Sequence, residues 1–172
     1  MKATNTALDH EIWLIGGLAG AAGGIAEILW IGFYGALTGT DTTVLAQGVA
    51  AVIGAGLPPS FVTDAPVASG LAIHMIIAIA LGIALALAWR TLSRRTPNGS
   101  VYQVLPAILA IIWVFNFFVL LPILSPHIDG VQQSFTELVP YPVSLVSKLL
   151  FGFAAAAVLK RRALVPSRLV EA

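Results

Sequence analysis

The sequence predicts an all-α fold: a polytopic integral membrane protein with four transmembrane helices arranged as two hairpins, plus a short interfacial or re-entrant helix in the first outer loop. Three observations carry this. The chain of 172 residues is 58% hydrophobic and 10% charged, with a mean hydropathy of +0.93, whereas a soluble domain is about 45 to 50% apolar and about 25% charged. Its apolar residues fall into four stretches near the roughly 20 residues needed to cross a bilayer. Its basic residues gather at alternate connections. In hydrocarbon such runs must satisfy their own backbone amides, which makes them helices and not the roughly ten-residue alternating strands of an outer-membrane barrel.

The first span is expected over about residues 12–37, from Ile12 to Leu37, interrupted by a single charge, Glu27. Asp9 and Glu11 precede it and suit the positive end of its helix dipole. The run is longer than the apolar core of a secretory signal and lacks a basic lead-in, so it does not read as a cleaved signal peptide. A short helix follows over about 42–54: Asp41 can cap it, Leu45, Val49, Val52 and Ile53 recur at helical spacing, and Gly54, Gly56, Pro58 and Pro59 stop it. At that length it cannot span, so it lies in the interface as a strut or dips in as a re-entrant segment, the strut being favoured.

The second span covers about 65–89, bounded by Asp64 and Arg90, and the third about 101–124. The second outer loop carries a turn at Asp129-Gly130 and an amphipathic piece around Phe135 to Leu138. The fourth span, about 143–159, contains Lys148. Both returning spans open with Pro-Val, at Pro66-Val67 and Pro142-Val143, where proline suits a first helical turn. Ile28-Leu29-Trp30-Ile31 also aligns with Ile111-Ile112-Trp113-Val114, so the halves read either as parallel two-helix repeats or as apolar helices alike by chance. The whole of 1–172 is taken as one four-helix membrane domain.

Charge sets the orientation. Lys2, then Arg90, Arg94 and Arg95, then Lys160, Arg161, Arg162 and Arg168 lie at the two termini and the middle connection, while the other two loops carry only Asp41, Asp64, Asp129 and Glu137. The positive-inside rule then places both termini in the cytoplasm of a cell with an inner (plasma) membrane. A formal net charge of +1 excludes nucleic-acid binding through a basic face. The expected surroundings are the lipid bilayer and either a homo-oligomer or a larger membrane complex.

Each span carries one residue costly to place in hydrocarbon: Glu27, His74, Asn116 and Lys148. At 1.5 Å of rise per residue all four fall roughly 8 to 15 Å below the outer surface. Gly16, Gly20, Gly23 and Gly24 share or flank the face of Glu27. Gly70, Ala78 and Gly82 line the face of His74, and Ser144, Gly152 and Ala156 that of Lys148. Small-residue stripes mark close helix contacts, so these three polar groups are expected to meet, with Asn116 less firmly placed beside Trp113 and Leu120. A Glu27–Lys148 ion pair flanked by His74 and Asn116 is either a protonation or ligand site or structural glue, with Lys148 snorkelling to the headgroups.

Other chemistry is weaker. With no cysteine in the chain, thiol chemistry and thiolate metal sites fall away. No motif indicates a cofactor: only His74 lies deep in a span, so one chain lacks the facing pair for a bis-histidine haem. His127, Asp129 and Glu137 are weak candidates for a metal site in the second outer loop. No G-x-S-x-G, H-E-x-x-H or P-loop is present, and a Ser144–Lys148 dyad is a poorer account of that serine than bonding to the backbone. Trp13, Tyr34, Trp89, Tyr102 and Tyr141 read as interfacial anchors, and Trp30 and Trp113 as packing. The preferred reading is a non-catalytic accessory, assembly or oligomerising protein. The alternative is a small ion- or proton-coupled transport protein using Glu27, His74 and Lys148.

Overall fold

The computed structural model describes residues 3–53, 60, 64–95, 100–120, 123 and 139–163. Among them every regular element is helical. Helix α1 runs Ala3–Thr38 and α2 Thr43–Ile53. Helix α3 runs Pro66–Arg95 and α4 Val101–Phe115, continued by a five-residue π-helical segment Asn116–Leu120. Helix α5 runs Tyr141–Ala163. Four of these contain stretches long and apolar enough to cross a membrane: Glu11–Thr38, Pro66–Ser93, Val101–Val119 and Tyr141–Arg161. Helices α1 and α3 extend beyond the spans expected from hydropathy. Helix formation needs no apolar side chain, so the polar flanks Ala3 to Glu11 and Arg90 to Arg95 continue the same hydrogen-bonded ladders.

Local chemistry accounts for the ends. Pro66 opens α3, where its missing N–H costs nothing. Ahead of α2 the Asp41 Oδ1 accepts from the Thr43 backbone N–H at 3.0 Å and from the Thr43 hydroxyl at 2.6 Å. Asp41 therefore caps α2, and the hydroxyl followed by the amide holds its carboxyl below the usual carboxylate range. Gly39, at φ 71°, makes the left-handed turn between α1 and α2. Gly54 to Pro59, the expected stop of α2, and the turn at Asp129-Gly130 lie outside the described residues.

Helix α1 is the centre of the arrangement, packing extensively on α3 and on α5; α2 packs on α3, and α4 on α5. Helices α3 and α4 touch only slightly. Close approach is purchased by small residues, since lipid tails give apolar side chains little reason to leave them for one another. At the α1–α3 crossing Gly20 meets the backbone at Ala78 and Ile79, and Gly82 meets the backbone at Gly20 and Gly16, so a Cβ at either position would strike main-chain atoms. On the adjoining face of α1, Gly23 lies against the ring of Phe151, itself fully buried. Ala19, Ala78, Leu85, Leu105, Phe151 and Ala155 belong to one continuous apolar core built from all four long helices. That core fills the half of the bundle nearer Arg90, Ser100 and Lys160, and the polar residues lie in the other half.

Candidate functional site

Three helices bring their polar residues to one place. Glu27, 4% exposed, is the buried acid of α1. From α5, Lys148 Nζ donates to Glu27 Oε1 at 2.6 Å and Ser147 Oγ donates to the same oxygen at 3.2 Å. From α3, His74 Nε2 lies 3.6 Å from Glu27 Oε2, beyond hydrogen-bond length. That ring nitrogen is buried and has no hydrogen-bond partner among the described residues. The side chains of His74 and Lys148 are 28% and 29% exposed, against 5% for Glu27. The carboxylate is thus the floor of the cluster, and the two nitrogen-bearing side chains beside it are partly exposed.

The local sequence explains this convergence. Glu27 follows Gly20, Gly23 and Gly24 along a face of α1 that both neighbours approach closely. His74 lies one turn before Ala78, whose side chain would meet any Cβ at Gly24. Lys148 lies nearly one turn before Phe151, which packs on Gly23. Small residues draw the backbones together, and the longer polar side chains one turn further on then reach each other. Depths agree with this: His74 is about 12 Å from the start of α3 and Lys148 about 10 Å from the start of α5, with Glu27 about 16 Å before the end of α1.

Asn116 is placed differently. It begins the π-helical segment of α4, where its backbone N–H is shared between the carbonyls of Ile112 and Trp113. The groups at the Glu27 carboxylate come from α3 and α5, and Asn116 is not one of them. Helix α4 packs chiefly on α5 and has little contact with α1, which accounts for its separation. Widened π turns recur at functional positions, yet nothing in the sequence marks this one.

Two tryptophans secure α5 beside the cluster. Trp30 Nε1, from α1, donates to the carbonyl of Val143 at 2.9 Å, and Trp113 Nε1, from α4, donates to the Ser144 hydroxyl at 3.0 Å. Consecutive residues of α5 are therefore held by α1 and by α4. Trp113 also packs with Phe117, Phe118 and Tyr141 in edge-on and tilted ring contacts. Although the two tryptophans occupy aligned tetrapeptides, Trp30 bonds across to α5 and not to the returning helix of its own hairpin, so they are not used as repeat-equivalent residues. The serines near Lys148 are also accounted for: the Ser144 hydroxyl accepts from Trp113 and the Ser147 hydroxyl donates to Glu27. Ser147 was legible only as a polar residue next to Lys148.

Helix α2 packs on the first turns of α3, close to His74 along that helix. Gly70, one turn before His74 on α3, faces the backbone of Ala46, whose carbonyl occupies the space a side chain at Gly70 would need. The short helix thus lies along the first turns of a membrane-length helix. His127, Asp129 and Glu137 lie outside the described residues, and among those described no group of three or more His, Asp or Glu side chains could hold a metal ion.

Fold and cluster together define the class: an all-helical protein with four helices long and apolar enough to cross a membrane, joined by a buried acid–base cluster shared among three of them. Compared with known proteins, the chain matches no family model, no curated protein and no solved structure.

Proposed function

We propose that the chain is a non-catalytic inner-membrane protein, with both termini cytoplasmic, that acts as an accessory, assembly or oligomerising component. The observation that carries this reading is the internal use of the Glu27 carboxylate. Lys148 and Ser147 of the same chain both bond Oε1, and the core immediately beyond, at Gly23, Phe151, Ala19 and Ala78, is apolar and close-packed. A cluster with its donors supplied from within and no polar residues leading away toward Arg90 and Lys160 acts as a pin between helices. Large apolar side chains such as Leu18, Ile25, Leu29, Phe33, Ile76 and Phe115 are exposed and supply surface for lipid, a second copy or a partner helix.

Native mass spectrometry of protein released from nanodiscs tests the reading. An oligomer or a co-purifying membrane protein is expected, and a bare monomer under every mild condition would sink it. A second reading, proton- or ion-coupled transport through Glu27, His74 and Lys148, is favoured by one observation, the buried His74 Nε2 without a partner among the described residues. Under it, Glu27→Gln or Lys148→Met changes proton or ion flux in proteoliposomes, and unchanged flux with a lowered melting temperature returns the cluster to a structural role.

A further inference from the structure

We propose that the last turns of α5 form a headgroup site for an anionic phospholipid, with Lys160 and Arg161 holding the phosphate and the exposed strip of α5 beneath them carrying an acyl chain. Lys160 Nζ lies 5.1 Å from the centroid of the Tyr102 ring of α4. A ring face attracts a cation through its quadrupole, so Tyr102 fixes the ammonium at the seam between α4 and α5. Lys160 is nonetheless exposed, and so is Arg161. An ammonium acts on phosphate as a point charge with three donors, and a guanidinium forks onto two of its oxygens. The pair therefore offers a phosphodiester both charge and shape.

Depth and the face below suit a lipid. From Tyr141 to Lys160 the helix rises about 28 Å, close to the roughly 30 Å of a hydrocarbon core, so Lys160 reaches the headgroup layer. Val146, Phe153 and Ala157 fall on the face of α5 between Lys160 and Arg161, and Val146 and Phe153 are 36% and 46% exposed. Gly152, next to Phe153, meets α4 at Pro106, so this strip borders the α4–α5 contact. Charge selects an anionic occupant. At this end α3 closes with Arg90, Arg94 and Arg95 and α5 with Lys160, Arg161 and Arg162, against Asp9 and Glu11 of α1. The four helices meet here, since Ile12, Trp89, Tyr102 and Leu159 pack in one core. Among the described residues, the charges at the opposite end beyond the Glu27 cluster are Asp41 and Asp64. Basic groups beside a spanning helix attract anionic lipid. A soluble acidic segment would meet the same charges, but the apolar strip runs on into the depth of a bilayer, where an acyl chain follows it and such a segment does not.

The inference needs only that the four helices span a membrane, and it is independent of both the accessory and the transport reading. Full-length protein is released from nanodiscs of equimolar phosphatidylglycerol and phosphatidylcholine with matched acyl chains, and the retained lipid is weighed by native mass spectrometry. The first retained lipid is expected to be phosphatidylglycerol, preferred by about five-fold or more, the worth of one base near an anionic surface. Raising ammonium acetate from about 0.05 to about 0.5 M is expected to shrink the preference by screening. Lys160→Gln combined with Arg161→Gln is expected to lose most of it. Arg94→Gln combined with Arg95→Gln removes the same charge from the same end of the bundle and is expected to keep most of it. No preference in the wild-type protein, a result that needs no variant to fold, would overturn the proposal. So would equal losses in the two double variants, which would mean a diffuse basic surface, or an undiminished preference without Lys160 and Arg161.

Discussion

Glu27 combines a full burial cost with donors on one oxygen, and the balance turns on Lys148. Removing one partner of a buried ion pair leaves the other uncompensated, at about 3 to 5 kcal/mol. Because the lysine side chain is 29% exposed, Lys148→Met is expected to cost less, about 2 to 4 kcal/mol, read as a lower midpoint in SDS-driven unfolding from mixed micelles. Asp41 gives a second prediction. The Thr43 hydroxyl and amide hold its carboxyl low, so its capping of α2 is complete above the unfolded-state value and is lost as pH falls through the lower, folded one. NMR shifts of the α2 amides are expected to change in that acidic window in wild type and to show no such change in Asp41→Asn. At this scale the sequence was informative, because an acid, an imidazole and a lysine at matching depths are costly enough to be conspicuous. What it hid was Ser147 as a second donor and the unequal use of the two Glu27 oxygens, which depend on side-chain rotamers that hydropathy and spacing do not encode.

At the level of elements, the bundle depends on glycine more than on large core side chains. A side chain at Gly82 would meet the backbone of α1 at Gly20 and Gly16. Gly82→Val is therefore expected to push α1 and α3 apart at a cost of about 1 to 3 kcal/mol and to weaken the Glu27–His74 approach about two turns away. The same unfolding assay and a cross-link between cysteines placed on the two helices would check it. Gly70→Val is expected to dislodge α2 while the four long helices persist, seen as faster hydrogen exchange of the α2 amides with unchanged total helicity. The four long helices and the short one were legible from apolar length and helical spacing. The π turn at Asn116 was not, because no residue type dictates it, and so the expected fourth member of the polar layer sits on a helix that packs away from α1. The position of α2 was half legible: its length was evident, but its seat on Gly70 is a contact between segments distant in sequence.

Over the whole molecule, α1 organises the fold by packing on both α3 and α5, with the acid–base cluster at that junction. The proposed orientation is open to a direct check, because the chain has no native cysteine. A single cysteine at the exposed Ser100 is expected to react with an impermeant maleimide only after the cell membrane is opened, and one at the exposed Thr38 in intact cells; the opposite pattern would invert the topology. The central claim, that an ion pair between Glu27 and Lys148 joins α1 to α5 inside the bundle, is tested most directly by a double-mutant cycle of Glu27→Gln and Lys148→Met in nanodisc or mixed-micelle unfolding. A pair at 2.6 Å predicts that the double variant is more stable than the sum of the single losses implies, by about 1 to 3 kcal/mol. Additive losses within about 0.5 kcal/mol would contradict the account.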